Sequence, residues 1–394
     1  MSVNMKKLVE QYRRSPSDAE AGLRTCFEQK TVRPAEFDFG KLFVECFGWE
    51  AFVECRANKK LANDVFAEGR LAEAQGAVTT AAFQNISGQI VYSAVLEAYE
   101  SEDFVFQKLI PEVTTQFLEG EKMGGITRIG DESAVRGEAQ SYALAGVGED
   151  WIFTPAIRDI GMIVPVTWEA VFSDRTGQLL DRCGEVGLWR GTAREKQAID
   201  CVVDENTTRH RYNWRGTVIA SYGDNSGTHT WDNLAASNAL VDWTDVDAAE
   251  QVFNAITDPY TGEPVPYDPK HLVVTKQNEQ TALRIVNATE IRVTTPGYAT
   301  TGNPNQALQG NPYKSKYGVV SSRLLATKMA TDTSWFLGDY SKYAKYMVAE
   351  KMNVAQAPSN TQDEFERRIV AKYRVNERGE YVVVQPRAAV KSTA

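Results

Sequence analysis

The segment from Ser173 to about Asp204 constrains this chain most. Ser173 or Asp174 stands where a helix N-cap belongs, and the residues that follow read as one long helical segment. About thirty residues at 1.5 Å per residue predict a rod roughly 45 Å long. Its interior glycines, Gly184, Gly187 and Gly191, fall at i, i+3 and i+7 and form one stripe. Each costs about 1 kcal/mol relative to Ala, which is tolerable where another backbone packs closely. The other reading is a break into two shorter helices.

The stretch Thr114–Asp150 poses the opposite problem. Its composition shifts to Gly and charge, with two extended runs, Ile126–Ile129 and Val135–Leu144, around the turn signal Gly130-Asp131-Glu132-Ser133. Neither run has enough apolar residues to bury a face, and an isolated hairpin is marginal in water. This hairpin is therefore expected to lie on another chain.

The rest of the chain is less unusual. Residues 1–80 read as a helical, irregular arm with a basic start (Lys6, Lys7, Arg13, Arg14) and an aromatic cluster (Phe37, Phe39, Phe43, Phe47, Trp49, Phe52). Such a cluster is either an ordinary core helix or an anchor that needs a surface in its own subunit or a neighbour. Ile86–Leu109 has helical spacing and ends before Pro111, and Asp159–Thr167 reads as a strand. Residues 205–355 look like a compact α/β domain, with a helix capped by Thr244, strand His271–Thr275, helix Asn278–Val286 and strand Ile291–Thr294. The loop Thr295–Pro312, about eighteen residues without pattern, is long enough to be functional. The tail reads as a hairpin, with its turn at Asn376-Glu377-Arg378-Gly379 and an excess of basic side chains on its strands.

Composition excludes several classes. The chain has 394 residues, enough for two or three domains, with 43% hydrophobic and 24% charged residues, values normal for a globular protein. A net charge of -9 argues against a dedicated nucleic-acid binder with one strongly basic face, though a local basic patch stays open. No secretory signal is visible, because Lys6 and Lys7 lead into Glu10, Gln11, Arg13 and Arg14. The longest uncharged stretch, Ala74–Leu96, carries too many polar groups for a membrane span. Five cysteines without a CxxC pair fit free thiols.

Catalytic chemistry has no foothold. His210, His229 and His271 lack partners at metal-ligand spacing, and the Gly-rich Gly120–Gly130 lacks the phosphate-loop order. Asp224-Asn225-Ser226-Gly227 reads as a turn, and Asp242, Asp245, Asp247 and Glu250 as the acidic first turns of a helix. No enzyme, metal or cofactor is expected.

The order of these pieces resembles the major capsid protein of tailed bacteriophages, the Hong Kong-type capsid fold. Four segments carry the resemblance. Arg158–Glu169 looks like the strand returning from the extended loop into the spine helix, and Asp268–Val274 is similar to the entry into the apical domain's central strand. Trp335–Tyr340 looks like a Gly-Asp turn, and Glu364–Ala371 through Pro386–Ala389 like the closing strand and tail. The resemblance implies an α+β fold with an N-terminal arm (1–80) and a peripheral domain with the spine helix (81–113 and 151–204). An extended loop (114–150), an apical domain (205–355) and a C-terminal return strand of the peripheral domain (356–394) complete it.

What the resemblance implies for function is assembly. The chain would be a structural protein whose pentamers and hexamers close into an icosahedral head around double-stranded DNA, bound non-specifically. It would be built in the host bacterial cytoplasm with a portal protein and, in some members, scaffold and decoration proteins. Contacts with a neighbour would come from Lys122, Ile126, Arg128, Asp131, Glu132 and Arg136 on the extended loop. Gly302, Asn303, Pro304 and Asn305 would meet their copies at the capsomer centre, and Phe37, Phe39, Phe43, Phe47 and Trp49 would anchor the arm. Lys6, Lys7, Arg13 and Arg14, or the tail's basic residues, would face the genome. Some members weld subunits through a loop Lys and a neighbour's Asn. Lys122 is the one Lys of this loop, and with no partner Asn in view a cross-link is not expected. Neither is removal of an N-terminal scaffold segment. The alternative on the same fold is an encapsulin-like nanocompartment holding a cargo enzyme.

Overall fold

The structure is a computed structural model that describes residues 5–34, 37–57, 59–73, 80–101, 103–124, 151–172, 176–226, 231–257, 262, 264–294, 306–330, 333–357 and 361–393. Six helices come first: α1 (Met5–Arg14), α2 (Pro16–Glu28), α3 (Phe39–Phe47), α4 (Trp49–Arg56), α5 (Ala62–Glu73) and α6 (Thr80–Tyr99). A short α7 (Phe106–Leu109) leads to strands β1 (Glu112–Thr114), β2 (Lys122–Gly124), β3 (Trp151–Phe153) and β4 (Arg158–Thr167). Then come α8 (Trp168–Phe172), α9 (Thr176–Val203), β5 (Tyr212–Trp214), β6 (Thr217–Ile219), β7 (Leu234–Ala235) and α10 (Trp243–Ala255). Strand β8 (His271–Thr275), α11 (Glu279–Asn287), β9 (Glu290–Thr294), β10 (Gln306–Gly310), β11 (Gly318–Ser322) and α12 (Arg323–Ala326) follow. The chain closes with β12 (Trp335–Gly338), α13 (Tyr340–Tyr343), β13 (Ala344–Gln356), α14 (Thr361–Arg367), β14 (Ile369–Val383) and β15 (Ala389–Ser392). Helix and strand mix throughout, so the class is α+β.

The chain divides into two compact units. The first gathers Met1–Phe104, Asp159–Ala193 and Glu350–Arg378. Its core begins in the arm. Asp38 caps α3 by accepting from the N–H groups of Gly40 (2.8 Å) and Lys41 (3.3 Å). Phe39, Leu42, Phe43 and Cys46 then fall on one buried face at i, i+3, i+4 and i+7. Phe43 meets Phe47, Phe83 and Phe172 with ring centroids 4.8, 5.7 and 5.1 Å away. Much of the arm's aromatic cluster is thus spent inside this unit, packed on α6.

Residues 176–193 of α9 belong to the first unit and follow the glycine logic in part. A Cβ on Gly187 would strike the carbonyl oxygen of Val95, and one on Gly191 the ring of Phe104, while Gly184 has open space. The helix runs unbroken from Thr176 to Val203, so the reading of two shorter helices is set aside. Its expected caps, Ser173 and Asp174, lie outside the described residues.

Two expectations need correction here. The helix expected over Ile86–Leu109 is two helices, ending at Tyr99 and restarting at Phe106. The restart has its own cap, because the Glu195 carboxylate accepts from the N–H groups of Val105, Phe106 and Gln107 at 3.0, 2.9 and 3.2 Å. The tail hairpin, in turn, does not exist: β14 runs straight through Asn376–Gly379. Its carboxylates are buried against basic partners instead of solvated in a turn. In the first unit Glu377 takes the Arg190 guanidinium at 2.9 Å and the Tyr99 hydroxyl at 3.0 Å. Gly379, the other turn signal, is there because the Tyr346 ring fills the place of a Cβ.

The second unit gathers Val105–Arg158, Arg194–Ala349 and Gly379–Ala394. Its centre is a five-stranded sheet in the order β11-β8-β12-β15-β7. Leu272, Val273 and Val274 on β8, Trp335, Phe336 and Leu337 on β12, and Ala389 and Val390 on β15 are all buried, as strands covered on both faces must be. Strand β15 pairs Trp335 with Ser392 and Lys391 with Leu234. Residues 379–394 therefore finish in this sheet, whereas the whole of 356–394 was expected to return to the peripheral domain. The patternless loop is also shorter than expected: Gln306–Gly310 pairs antiparallel with β9, and 295–305 lie outside the described residues. Asp242, not Thr244, caps α10, in a capping box with Asp245.

Candidate assembly surfaces

The groups that could have carried chemistry serve the fold. Asp242 and Asp245 cap α10, Asp247 accepts from the Tyr313 hydroxyl at 2.7 Å, and Glu250 from Tyr317 at 2.7 Å and from Lys316. His210 is buried, with Nδ1 3.2 Å from the carbonyl oxygen of Tyr381. Burial pushes its pKa below the usual histidine value, against the pull of Glu380 3.4 Å away. Glu380 also accepts from Arg158 (2.6 and 3.0 Å) and Arg209 (2.9 Å), and Arg209 reaches the carbonyl of Ala156 at 2.7 Å. This buried carboxylate fastens the segment that leads into β4. Among the described residues no group of three His, Cys, Asp or Glu is placed to hold a metal ion, and no helix is long and apolar enough to cross a membrane.

The expected loop contacts are placed only at their root. Strands β2 and β3 pair antiparallel, Lys122 opposite Phe153 and Gly124 opposite Trp151, so the extended segment leaves from the β2–β3 stem at one side of a four-stranded sheet in the order β2-β3-β5-β6. Lys122 is exposed on that stem, its ammonium 4.5 Å from the centre of the Trp151 ring. Ile126, Arg128, Asp131, Glu132 and Arg136 lie outside the described residues, as do Gly302, Asn303, Pro304 and Asn305.

The arm residues divide. Phe37, Phe39 and Phe43 are buried and Phe47 is half-buried, whereas Trp49 is 63% exposed. Lys6, Lys7, Arg13 and Arg14 are all exposed on α1, whose Val9 and Tyr12 face the core. The tail's basic residues divide as well: Arg367, Arg368 and Arg374 are exposed, whereas the last two are not. Arg387 and Lys391 are buried in the second unit, Arg387 over the Trp231 ring and Lys391 paired with Glu205 over Tyr222 and Phe336. They are therefore no part of an electropositive face.

Sequence reasoning missed two exposed apolar surfaces and a groove of mixed polarity. On α9, Leu188 and Trp189 are exposed. On the second unit, the loop between β1 and β2 holds Phe117 and Leu118 in solvent. The first unit also has a groove of about 1010 Å³ between α2, α6 and residues 350–354 of β13. The only signal for the loop was an apolar pair inside an otherwise polar, acidic stretch. A lone soluble subunit gains nothing by exposing such side chains, whereas an assembling one does.

The family model for phage capsid proteins matches residues 153–392, from β3 to the end of β15. The chain belongs to that family. A search of curated proteins finds no match. Among solved structures, the capsid of cyanophage P-SCSP1u is 10% identical, with a TM-score of 0.44 over 74% of this chain and 88% of that one. A virus-like particle from Pyrococcus furiosus is 10% identical, with a TM-score of 0.40 over 76% and 96%. An encapsulin from Synechococcus elongatus is 11% identical, with a TM-score of 0.39 over 73% and 85%. The family match, not these likenesses, identifies the capsid protein. As a phage capsid protein it is a structural component of a shell made of many copies, and the exposed apolar surfaces are where copies of such a chain can meet.

Proposed function

We propose that this capsid protein is the major subunit of a tailed-phage head, closing as pentamers and hexamers into an icosahedral shell around packaged double-stranded DNA. The family match over residues 153–392 carries this reading. In it, the segment 114–150 reaches over a neighbouring subunit from the β2–β3 stem, and 295–312 lies at the capsomer centre. A portal protein, with scaffold and decoration proteins in some assemblies, completes the head, which is built in the host cytoplasm. The chain has no catalytic task; closure of many modest heterologous contacts supplies the stability. Helix α1 faces the genome, where Lys6, Lys7, Arg13 and Arg14 neutralise phosphates without reading sequence.

Nuclease-treated particles test this directly. Double-stranded DNA inside them is the expected result, and a protein cargo would overturn the genome reading in favour of an encapsulin-like compartment. Reversing the charge of Lys6, Lys7, Arg13 and Arg14 is expected to reduce retained DNA more than particle yield. Equal loss of both would remove α1 from that role.

A further inference from the structure

The root of the extended segment is tied to the body of the second unit on both of its strands. On the way in, Glu121 N–H donates to the Thr154 hydroxyl (2.8 Å) and Thr154 N–H donates back to the Glu121 carbonyl (2.9 Å), which closes the base of the β2–β3 stem. Strand β3 is held in turn by β5, with Ile152 opposite Trp214 and Arg215 N–H donating to the Trp151 carbonyl at 3.2 Å. On the way out the chain passes through Pro155, Ala156 and Ile157 before β4 begins. Ile157 N–H donates to the Leu118 carbonyl (2.9 Å), whereas Pro155 has no N–H to give. A side chain holds the middle of this connector: Arg209 Nη2 donates to the Ala156 carbonyl at 2.7 Å.

Arg209 is a bracket with two ends. Its Nε donates to Glu380 Oε2 at 2.9 Å, and the same carboxylate accepts from Arg158 Nε at Oε2 (2.6 Å) and from Arg158 Nη2 at Oε1 (3.0 Å). Glu380 is buried on β14, so the connector is fastened at Ala156 and at Arg158 to one immobile anion. The base of the bracket is fixed as well, because the carbonyl of the next residue, His210, accepts from Val383 N–H at 3.1 Å. Yet the Arg158 and Arg209 side chains are 42% and 37% exposed, so removing Arg209 strands no buried cation and leaves Glu380 its other partner. Such a bond adds little to the stability of the subunit. What it fixes is a direction, and a direction set at the root is carried to residues 125–150 beyond it.

We propose that Arg209 is a positioning residue for assembly: by bridging the Ala156 carbonyl to Glu380 it sets the angle at which residues 125–150 leave the second unit, and through that angle the closure of the shell. This rests on the shell reading, in which that segment reaches over a neighbour. A heterologous contact closes or runs on as an open filament according to the rotation between copies, so a loosened root should spoil closure before it spoils folding. Arg209→Gln should leave the melting temperature of the unassembled chain within about 4 °C of wild type. Hydrogen exchange in the peptide 154–158 should become roughly tenfold faster, and electron micrographs should show open or tubular assemblies and a broadened range of diameters. Uniform closed particles from Arg209→Gln would overturn the proposal and leave the shell reading intact. So would aberrant particles with unchanged exchange at 154–158, which would place the action of Arg209 elsewhere. Loss of folded subunits in both Arg209→Gln and Arg209→Met would make the residue structural and overturn the proposal too. A wild-type chain that forms no particles would overturn the shell reading and this proposal together.

Discussion

Buried ionisable side chains set the behaviour of this capsid protein at the scale of single residues. Glu377 holds Arg190 in a site where both are nearly inaccessible, and removing one partner leaves the other as an uncompensated charge. Glu377→Ala is therefore expected to cost about 3–5 kcal/mol in urea unfolding, far more than Glu45→Ala on the exposed side of α3. His210 gives a pH signature. Its folded pKa lies below the ordinary value, so the unfolded chain binds the proton more readily. Its effect on stability is neutral above about pH 6.5 and becomes a loss as pH falls below that value. His210→Gln should flatten that part of the stability–pH curve between pH 6.5 and 5, and an unchanged slope would assign the acid sensitivity elsewhere. The thiols are graded by burial: Cys46 and Cys183 are pushed up to about 12 and Cys201 is raised as well, while Cys26 alone is not buried. An aromatic disulfide reagent at pH 7.5 should label about one thiol per folded chain, at Cys26.

At the scale of elements, α9 shows what the glycines do. Gly187→Ala must push a methyl group into the Val95 carbonyl, whereas Gly184→Ala meets nothing. The first substitution should destabilise the protein despite alanine's better helix propensity, and the second should stabilise it by up to about 1 kcal/mol. Like signs for the two would show that the stripe is not a packing device. This helix was legible from its cap signal and its length, and two of its three glycines stand where a neighbour needs the room. Strand β8 and the cap region of α10 were legible for similar local reasons. The tail was not, because Asn-Glu-Arg-Gly has the composition of a turn. Only partners far along the chain, Arg190 and Tyr99 for Glu377 and Arg158 and Arg209 for Glu380, allow those carboxylates to sit in a buried strand. The end of α6 was hidden for the same reason, since its neighbour α7 is capped by Glu195 from ninety residues away.

At the scale of the whole molecule, the order of arm, extended loop, long helix and α/β domain pointed to a capsid protein before any contact was known. The same order misplaced the tail, which ends in the second unit's sheet; of the two readings left open for the arm's aromatic cluster, the first unit's core takes up most of it. The contact surfaces themselves were the least legible part. Exposure of Phe117, Leu118 and Trp189 depends on what the rest of the fold leaves uncovered, and no local pattern encodes that. These side chains, with a net charge of -9 that averages over both faces of a wall, describe a subunit better than a solitary soluble protein. Electron microscopy of the purified full-length chain, over a range of concentration and salt, tests that claim most directly. Closed isometric particles of uniform diameter are the predicted result; a chain that stays monomeric or forms only small oligomers under every condition would contradict it.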